Sequence, residues 1–437
     1  MIQLDKDCKI YTDNIEENAL QTIKTVLSSG AFEETPVRIM PDVHDGKGIV
    51  IGFTAPLSNY VNPNHVGVDI GCCIDTWFTN IKMDSITEDT LKVIEHQVRR
   101  SVPFGMNIHH RCVIEKKDFL KFLNNHVESC ASAWDRIAHK TYSEDDISKF
   151  CRRIGTSNKM FWRSLGTVGS GNHFVEFGKH TAPSGQECLN FTIHCGSRNL
   201  GVKVAKYHCD IAEKLSTTKS EECQNGLKDL IVKYKESGNL AELENAIQTY
   251  KSTWKNNHPE GYLFGQYMND YLDDMVLATA YSLYNHLTIK TLILKDLERL
   301  FPNCCIIDSV RSIHNYIDMT DHIIRKGAIR AYTGQRMVVP FNMRDGIAIC
   351  EGKSNPDWNY SCSHGAGRKM SRTQAFNSLS MDTFNAQMQG IVSTSVCQET
   401  LDEAPDAYKD TQEIIDLIQD TCEIKMIIKP LINLKAK

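Results

Sequence analysis

Five histidines sit in short glycine- or asparagine-marked motifs, and their neighbours divide them into two chemical kinds. His364, in Ser363-His364-Gly365-Ala366-Gly367-Arg368, has no other metal-ligand residue type beside it; the glycines remove bulk and the arginine supplies charge. That setting suits attack on a phosphorus, because a largely neutral imidazole offers a nitrogen lone pair without a strong base. The other four are His44 in Pro41-Asp42-Val43-His44-Asp45-Gly46, His173 after Gly169-Ser170-Gly171-Asn172, His194 before Cys195-Gly196-Ser197-Arg198, and His314 before Asn315-Tyr316. Together with Asp69 and Cys72 in Gly67-Val68-Asp69-Ile70-Gly71-Cys72 they suggest a metal site next to a separate histidine nucleophile.

Carboxylate, thiolate and neutral imidazole are all competent metal ligands. Asp69 and Cys72, three apart, can turn toward one ion if the chain leaves extended geometry at Gly71. Read singly, Asp-x-x-Cys is more often a turn residue beside a buried thiol, and one strand-end histidine is more often structural. Their coincidence with three motif-embedded histidines moves the balance toward metal. Arg198 can hold a phosphate or carboxylate bidentately.

These residues must be carried by a scaffold that brings distant segments together. Short Val/Ile-rich runs (37–40, 49–53, 66–70, 191–193, 304–307, 337–339, 347–350 and 424–428) predict buried strands. Helical spacing links Leu91, Ile94 and Val98; Tyr267, Tyr271 and Met275; and Ile414, Leu417 and Ile418, stripes that predict core packing. Residues 210–260, rich in Lys, Glu, Gln and Asn with a break at Ser237-Gly238-Asn239, predict a helical surface insertion that carries no motif. Because the motifs run from Asp42 to His364, the expectation is one intertwined catalytic domain over 1–437, α+β, with central β-sheets flanked by helices.

Composition narrows the setting. The 437 residues are 41% hydrophobic and 24% charged, ordinary for a globular protein. No run of eighteen apolar residues and no signal-like start are present, so a membrane partner is not expected, and a cytoplasmic location is. Sixteen cysteines without framework spacing or any Cys-x-x-Cys pair point to a reducing compartment. A formal charge of -5 argues against a strongly basic nucleic-acid coat but leaves local basic grooves open.

The motifs taken in order resemble the RtcB family of GTP- and manganese-dependent RNA ligases. The resemblance runs from Pro41-Asp42-Val43-His44 through Asp69-Ile70-Gly71-Cys72, Gly171-Asn172-His173-Phe174, His194 to Arg198, His314-Asn315 and His364 to Arg368. It continues through Glu403-Ala404-Pro405-Asp406-Ala407-Tyr408-Lys409 to Lys429 through Lys435. It implies that Asp69, Cys72, His173, His194 and His314 hold two manganese ions, with Cys72 bridging, and that His364 becomes guanylylated. It implies guanylate contacts at Asn172, Glu176, Asn315, Gly365, Ala366, Gly367, Tyr408 and Lys435, and at Asn342 and Met343 in an altered loop. Arg198 is implied to contact RNA or phosphate, whereas His44 is no metal ligand in the family pattern. The implied reaction joins RNA ends bearing a 2′,3′-cyclic phosphate or 3′-phosphate to 5′-hydroxyl ends, in tRNA splicing or RNA repair.

The chain departs from the family where many members read Pro-Gly-Ser-Met-Gly; here stands Pro340-Phe341-Asn342-Met343-Arg344-Asp345-Gly346, which alters the backbone and serine contacts to guanylate. Cys73 stands where glycine is usual. Ligand softness alone points to zinc, but phosphoryl chemistry needs an ion with open positions, which favours the manganese the family implies. Two other classes use parts of the same constellation. A metal-dependent phosphoesterase would need the ligand cluster but not His364, and a non-catalytic RNA-binding homologue would tolerate loss of Cys72.

Overall fold

A five-stranded sheet sets the plan of the molecule. In the computed structural model, which describes residues 1–239 and 242–437, its strands run in the order Ile306–Ile313, Cys73–Lys82, Glu187–Cys195, Phe174–Thr181 and Pro430–Leu434, all neighbours antiparallel. The register pairs Ile313 with Cys73, Cys73 with Cys195, and Phe174 with His194. One end of the sheet therefore collects the starts of two strands and the ends of the other three. A second, six-stranded sheet holds Val37–His44, Ile51–Pro56, Ile323–Lys326 and Asn315–Ile317 in adjacent order. Residue 314 is the crossing point, because the chain leaves the first sheet at Ile313 and enters the second at Asn315.

Helices cover these sheets as their apolar spacing requires. Glu88–Ser101 starts with a Thr87/Thr90 capping box and buries Leu91, Ile94 and Val98 against the five-stranded sheet. Gly265–Leu300 is a 36-residue spine, about 54 Å long at 1.5 Å per residue, whose side chains enter both main cores. Tyr271 and Met275 lie in the core as their spacing predicts. Tyr267 is 46% exposed, because it lies in the first turn, ahead of the continuously buried stretch 271–283. No helix among the described residues is long and apolar enough to cross a membrane.

Three strand expectations are corrected. Residues 66–70 form no strand: after the 3-10 turn Pro63–His65 the backbone takes positive φ at Gly67 and again at Gly71. The run is apolar because Val66 and Ile70 are fully buried, not because it is laddered; burial and strand pairing give the same sequence signal. The strands expected at 49–53 and 304–307 are displaced, to Ile51–Pro56 and Ile306–Ile313.

The segment 210–260 lies in the distal part of helix Arg198–Glu236, a turn with Gly238 at φ 72°, and helix Leu243–Asn257. Residues 240 and 241 of it lie outside the described residues.

Candidate active site

The four metal-type ligands nearest the sheet owe their meeting to its edge. Cys72 immediately precedes one strand and His173 another, His194 is the penultimate residue of a third, and His314 follows a fourth. Antiparallel pairing brings these positions together although they are up to 242 residues apart in sequence. Cys72 Sγ lies 3.3 Å from His194 Nε2 and 3.5 Å from His173 Nε2; His194 Nε2 lies 3.3 Å from His314 Nε2. Asp69 reaches the group by the break at Gly71 (φ 69°), where a Cβ would press on the Thr279 backbone, and its Oδ2 is 2.8 Å from His173 Nε2. Gly196 faces the Asp69 carboxylate in space that any side chain would fill.

These donors form two overlapping sets, Asp69/Cys72/His173 and Cys72/His194/His314, with the Cys72 thiol common to both. Three imidazoles turn the same nitrogen, Nε2, inward. His194 fixes its orientation by donating from Nδ1 to the Asn172 carbonyl at 3.2 Å, the kind of support that orients metal-bound histidines. Burial holds the His194 and His314 rings well below the usual histidine range, so both are neutral. Burial and the Asp69 charge push the Cys72 thiol far up, so a thiolate at this place calls for a cation between the donors. The residues present therefore fit divalent-metal binding, with Cys72 common to both donor sets.

His364 stands beside this cluster, its ring centroid 4.9 Å from that of His314. Its Nδ1 donates to Asp42 Oδ2 at 2.6 Å, and the same oxygen accepts the backbone N–H groups of His364 and Gly365 at 3.1 and 3.2 Å. Asp42 is fully buried. A proton fixed on Nδ1 leaves Nε2 with the free lone pair. His44 is 2.8 Å from the Asp42 carbonyl through its own Nδ1, and burial lowers its pKa to about 4. It belongs to neither donor set.

A cavity of about 350 Å³ opens from His364 and His194. Asn172, Glu176, Asn342, Met343, Gly365, Ala366, Gly367, Tyr408 and Lys435 all line it. Glu176 is buried, accepts from Asn433 Nδ2 at 2.8 Å through Oε2, and has no hydrogen-bond partner for Oε1 among the described residues. Burial raises its pKa to about 8. An unsatisfied buried carboxyl facing a cavity calls for a ligand with donors.

Three expected site residues are placed differently or more narrowly. Asn315 is not on the cavity wall; its Nδ2 donates to the Asp69 carbonyl at 3.1 Å and its Oδ1 accepts from Gly327 N at 2.9 Å, tying the loop that carries Asp69 to the connection after Ile323–Lys326. Asn342 lines the cavity, but its side chain is engaged within its own loop, accepting from the Arg344 and Asp345 amides and donating to Asp345. Arg198, at φ 58°, is held by Thr167 Oγ1 and the Gly105 carbonyl on the metal side of the site, away from the cavity.

A family model described as tRNA-splicing ligase RtcB matches residues 25–436. The chain belongs to the RtcB family. It is 27% identical to the RNA-splicing ligase RtcB of Escherichia coli K12, covering 98% of this chain and 97% of that one. It is 25% identical to the tRNA-splicing ligase RtcB of Nanoarchaeum equitans, over 90% and 86% of the two chains, and 23% identical to that of Methanococcus maripaludis, over 95% and 92%.

For this RtcB-family chain, the motifs do not single out two carboxylates on which the site's hydrogen bonds converge. Asp42 stands beside the more conspicuous histidine in Pro41-Asp42-Val43-His44; its signal is an acid inside an apolar strand, where burial demands a partner. Glu403 opens Glu403-Ala404-Pro405-Asp406 and gathers donors from three segments. A third ligand-type group, Cys73, Asp75 and His286, lies behind the sheet edge. There both Asp75 oxygens are taken by Arg311, at 2.6 and 2.5 Å, so the carboxylate is already neutralised.

Proposed function

We propose that this chain is an RNA ligase that uses GTP to join RNA ends bearing a 2′,3′-cyclic phosphate or 3′-phosphate to 5′-hydroxyl ends. The observation that carries the reading is the position of His364: Asp42 fixes its Nδ1 proton, and it stands between a paired donor cluster and a nucleotide-sized cavity. Cavities of roughly 300–1,000 Å³ are typical for small-molecule ligands.

In this reading His364 Nε2 attacks the α-phosphorus of GTP, forming an N–P bond as pyrophosphate departs. Water opens a cyclic phosphate to the 3′-phosphate, an oxygen of which then takes the guanylate from His364. The 5′-hydroxyl oxygen attacks the activated 3′-phosphorus, forming the internucleotide bond and releasing GMP. In this reading Glu176 and Asn433, which line the cavity, recognise the base, and the cavity-lining Lys435, Tyr408 and Arg368 hold the guanylate. Manganese held by Asp69, Cys72, His173, His194 and His314 would supply positive charge and open positions for phosphate oxygens. Arg198 would meet RNA phosphate on the metal side. A cytoplasmic setting goes with this reading, since all sixteen cysteines are unpaired.

The test is incubation with α-labelled GTP and manganese, then denaturing separation. The label is expected on the protein, stable to base and lost in acid, and absent from His364→Ala. A pair of RNAs with a labelled 2′,3′-cyclic phosphate and a 5′-hydroxyl is expected to be sealed, with the label inside the new linkage. A 3′-hydroxyl/5′-phosphate pair is expected to remain open. Release of the label as inorganic phosphate would instead favour a metal-dependent phosphoesterase, and equal labelling of His364→Ala would remove the nucleophile.

A further inference from the structure

Four polar residues on the nucleotide side of the cavity, Arg368, Arg372, Tyr408 and Lys435, come from three separate stretches of chain. None of those stretches is a long regular element: Arg368 lies in the turn after His364, Arg372 opens the seven-residue helix Arg372–Ser378, and Lys435 follows the last strand. Long cationic side chains on such segments lose much rotamer freedom when they are ordered. Something must hold them in one arrangement.

All four converge on one carboxylate. Glu403 Oε1 accepts from Arg372 Nη1 at 2.6 Å and from Arg368 Nη1 at 3.3 Å. Its Oε2 accepts from Tyr408 Oη at 2.6 Å and from Lys435 Nζ at 2.8 Å. Glu403 is 2% exposed and is not on the cavity wall, whereas its four partners are. We infer that Glu403 is the positioning residue of the nucleotide side: a buried carboxylate that fixes four cavity-lining donors from behind without touching the ligand. This rests on the reading of the cavity as a GTP site.

The surroundings support a role in orientation as well as simple neutralisation. Arg368 and Tyr408 are also joined by a backbone bridge and by a cation–π contact at 5.4 Å. Arg372 pairs in addition with Asp402, and Arg368 Nη2 donates to the Asp402 carbonyl at 2.8 Å. Lys435 Nζ keeps a further contact with the Gly171 carbonyl, next to Asn172. Three cations thus face two carboxylates, which leaves net positive charge toward the cavity, and Glu403 is the member shared by all. The cations hold its pKa down at about 2 against the burial that would raise it, so the anchor stays charged throughout the neutral range. Charge-assisted hydrogen bonds of this kind are the strong ones.

The experiment compares full-length wild type, Glu403→Gln and Glu403→Asp for labelling by α-labelled GTP across GTP concentration, with melting temperature and manganese content measured alongside. Glu403→Gln is expected to raise the half-saturating GTP concentration by about tenfold or more while the saturating rate falls by no more than about threefold. Glu403→Asp, which keeps the charge but shortens the reach, is expected to fall between, at about threefold. Metal content is expected to be unchanged. Half-saturation at the wild-type GTP concentration in a folded Glu403→Gln protein would overturn the inference; should that variant not fold, an unshifted Glu403→Asp would do so. Equilibrium dialysis of α-labelled GTP against His364→Ala, with and without Glu403→Gln, reads the pocket without covalent chemistry. Absence of labelling in wild type would sink the ligase reading, while a weaker dialysis constant in the double variant would still uphold Glu403.

Discussion

The 2.6 Å hydrogen bond from His364 Nδ1 to the buried Asp42 carboxylate decides which nitrogen of the histidine can react. Asp42 lies inside the strand Val37–His44 and His364 more than three hundred residues later, yet one carboxylate oxygen accepts from the ring N–H and from two backbone amides. Orientation and tautomer are therefore set by the same atom.

Removing only the charge should expose that dependence. Asp42→Asn is expected to fold and bind metal but to form the covalent guanylate slower by roughly two orders of magnitude, as when the acid orienting a catalytic histidine is replaced. Single-turnover labelling at saturating GTP measures it. An unchanged rate would mean that Asp42 merely fills space.

Cys72 belongs to both donor sets, so its loss should be felt by both. Cys72→Ser is expected to lower metal content at both positions together with ligation, because a neutral hydroxyl is a far poorer bridge than a thiolate. Elemental analysis against protein concentration checks this, and full occupancy with normal activity would take Cys72 out of the centre. Asp69→Ala, which lies in one set, is expected to lose less metal.

Glu176 makes a prediction about pH in the ligand-free protein. Burial raises its pKa from 4.5 to about 8, so the folded state binds more protons than the unfolded state between those values. Stability from this group is fully present below pH 4.5 and is lost as pH rises toward 8. Glu176→Gln should therefore melt higher than wild type at pH 8 by an amount equivalent to a few kcal/mol, and about equally at pH 5. It should also weaken GTP binding. Parallel melting curves for the two proteins across this range would contradict the assignment.

The helical arm predicts an absence of effect. Replacing residues 210–260 by a short linker is expected to leave self-guanylylation within about twofold of wild type. Loss of labelling in a folded deletion would show that the arm supports the site.

Sequence made the candidate site residues legible because each sits in a short motif whose neighbours have little other reason to be glycine or asparagine. What it could not show were pairings across space. Asp42 with His364, and Glu403 with Arg368, Arg372, Tyr408 and Lys435, have no periodic spacing, and only the fold makes them neighbours. The strand misread at 66–70 has a related cause: Val66 and Ile70 carry the apolar signature of a strand because they are buried, while Gly67 and Gly71 turn the backbone away from any ladder. Asn315 illustrates the opposite limit, since a polar residue beside a candidate ligand histidine uses both ends of its amide on the backbone at Asp69 and Gly327.

The convergence of strand ends at one edge of the five-stranded sheet limits how this gene can change length. A residue gained or lost within Glu187–Cys195 would turn His194 to the opposite face, since strand side chains alternate. At the opposite edge, the turn 182–186 joins Thr181 to Glu187 across an open, exposed bend with Gly185 at φ 83°. Insertions should be tolerated there and rejected near Gly196, so a scan of single-residue insertions along both strands would map the reactive edge without measuring a single reaction product.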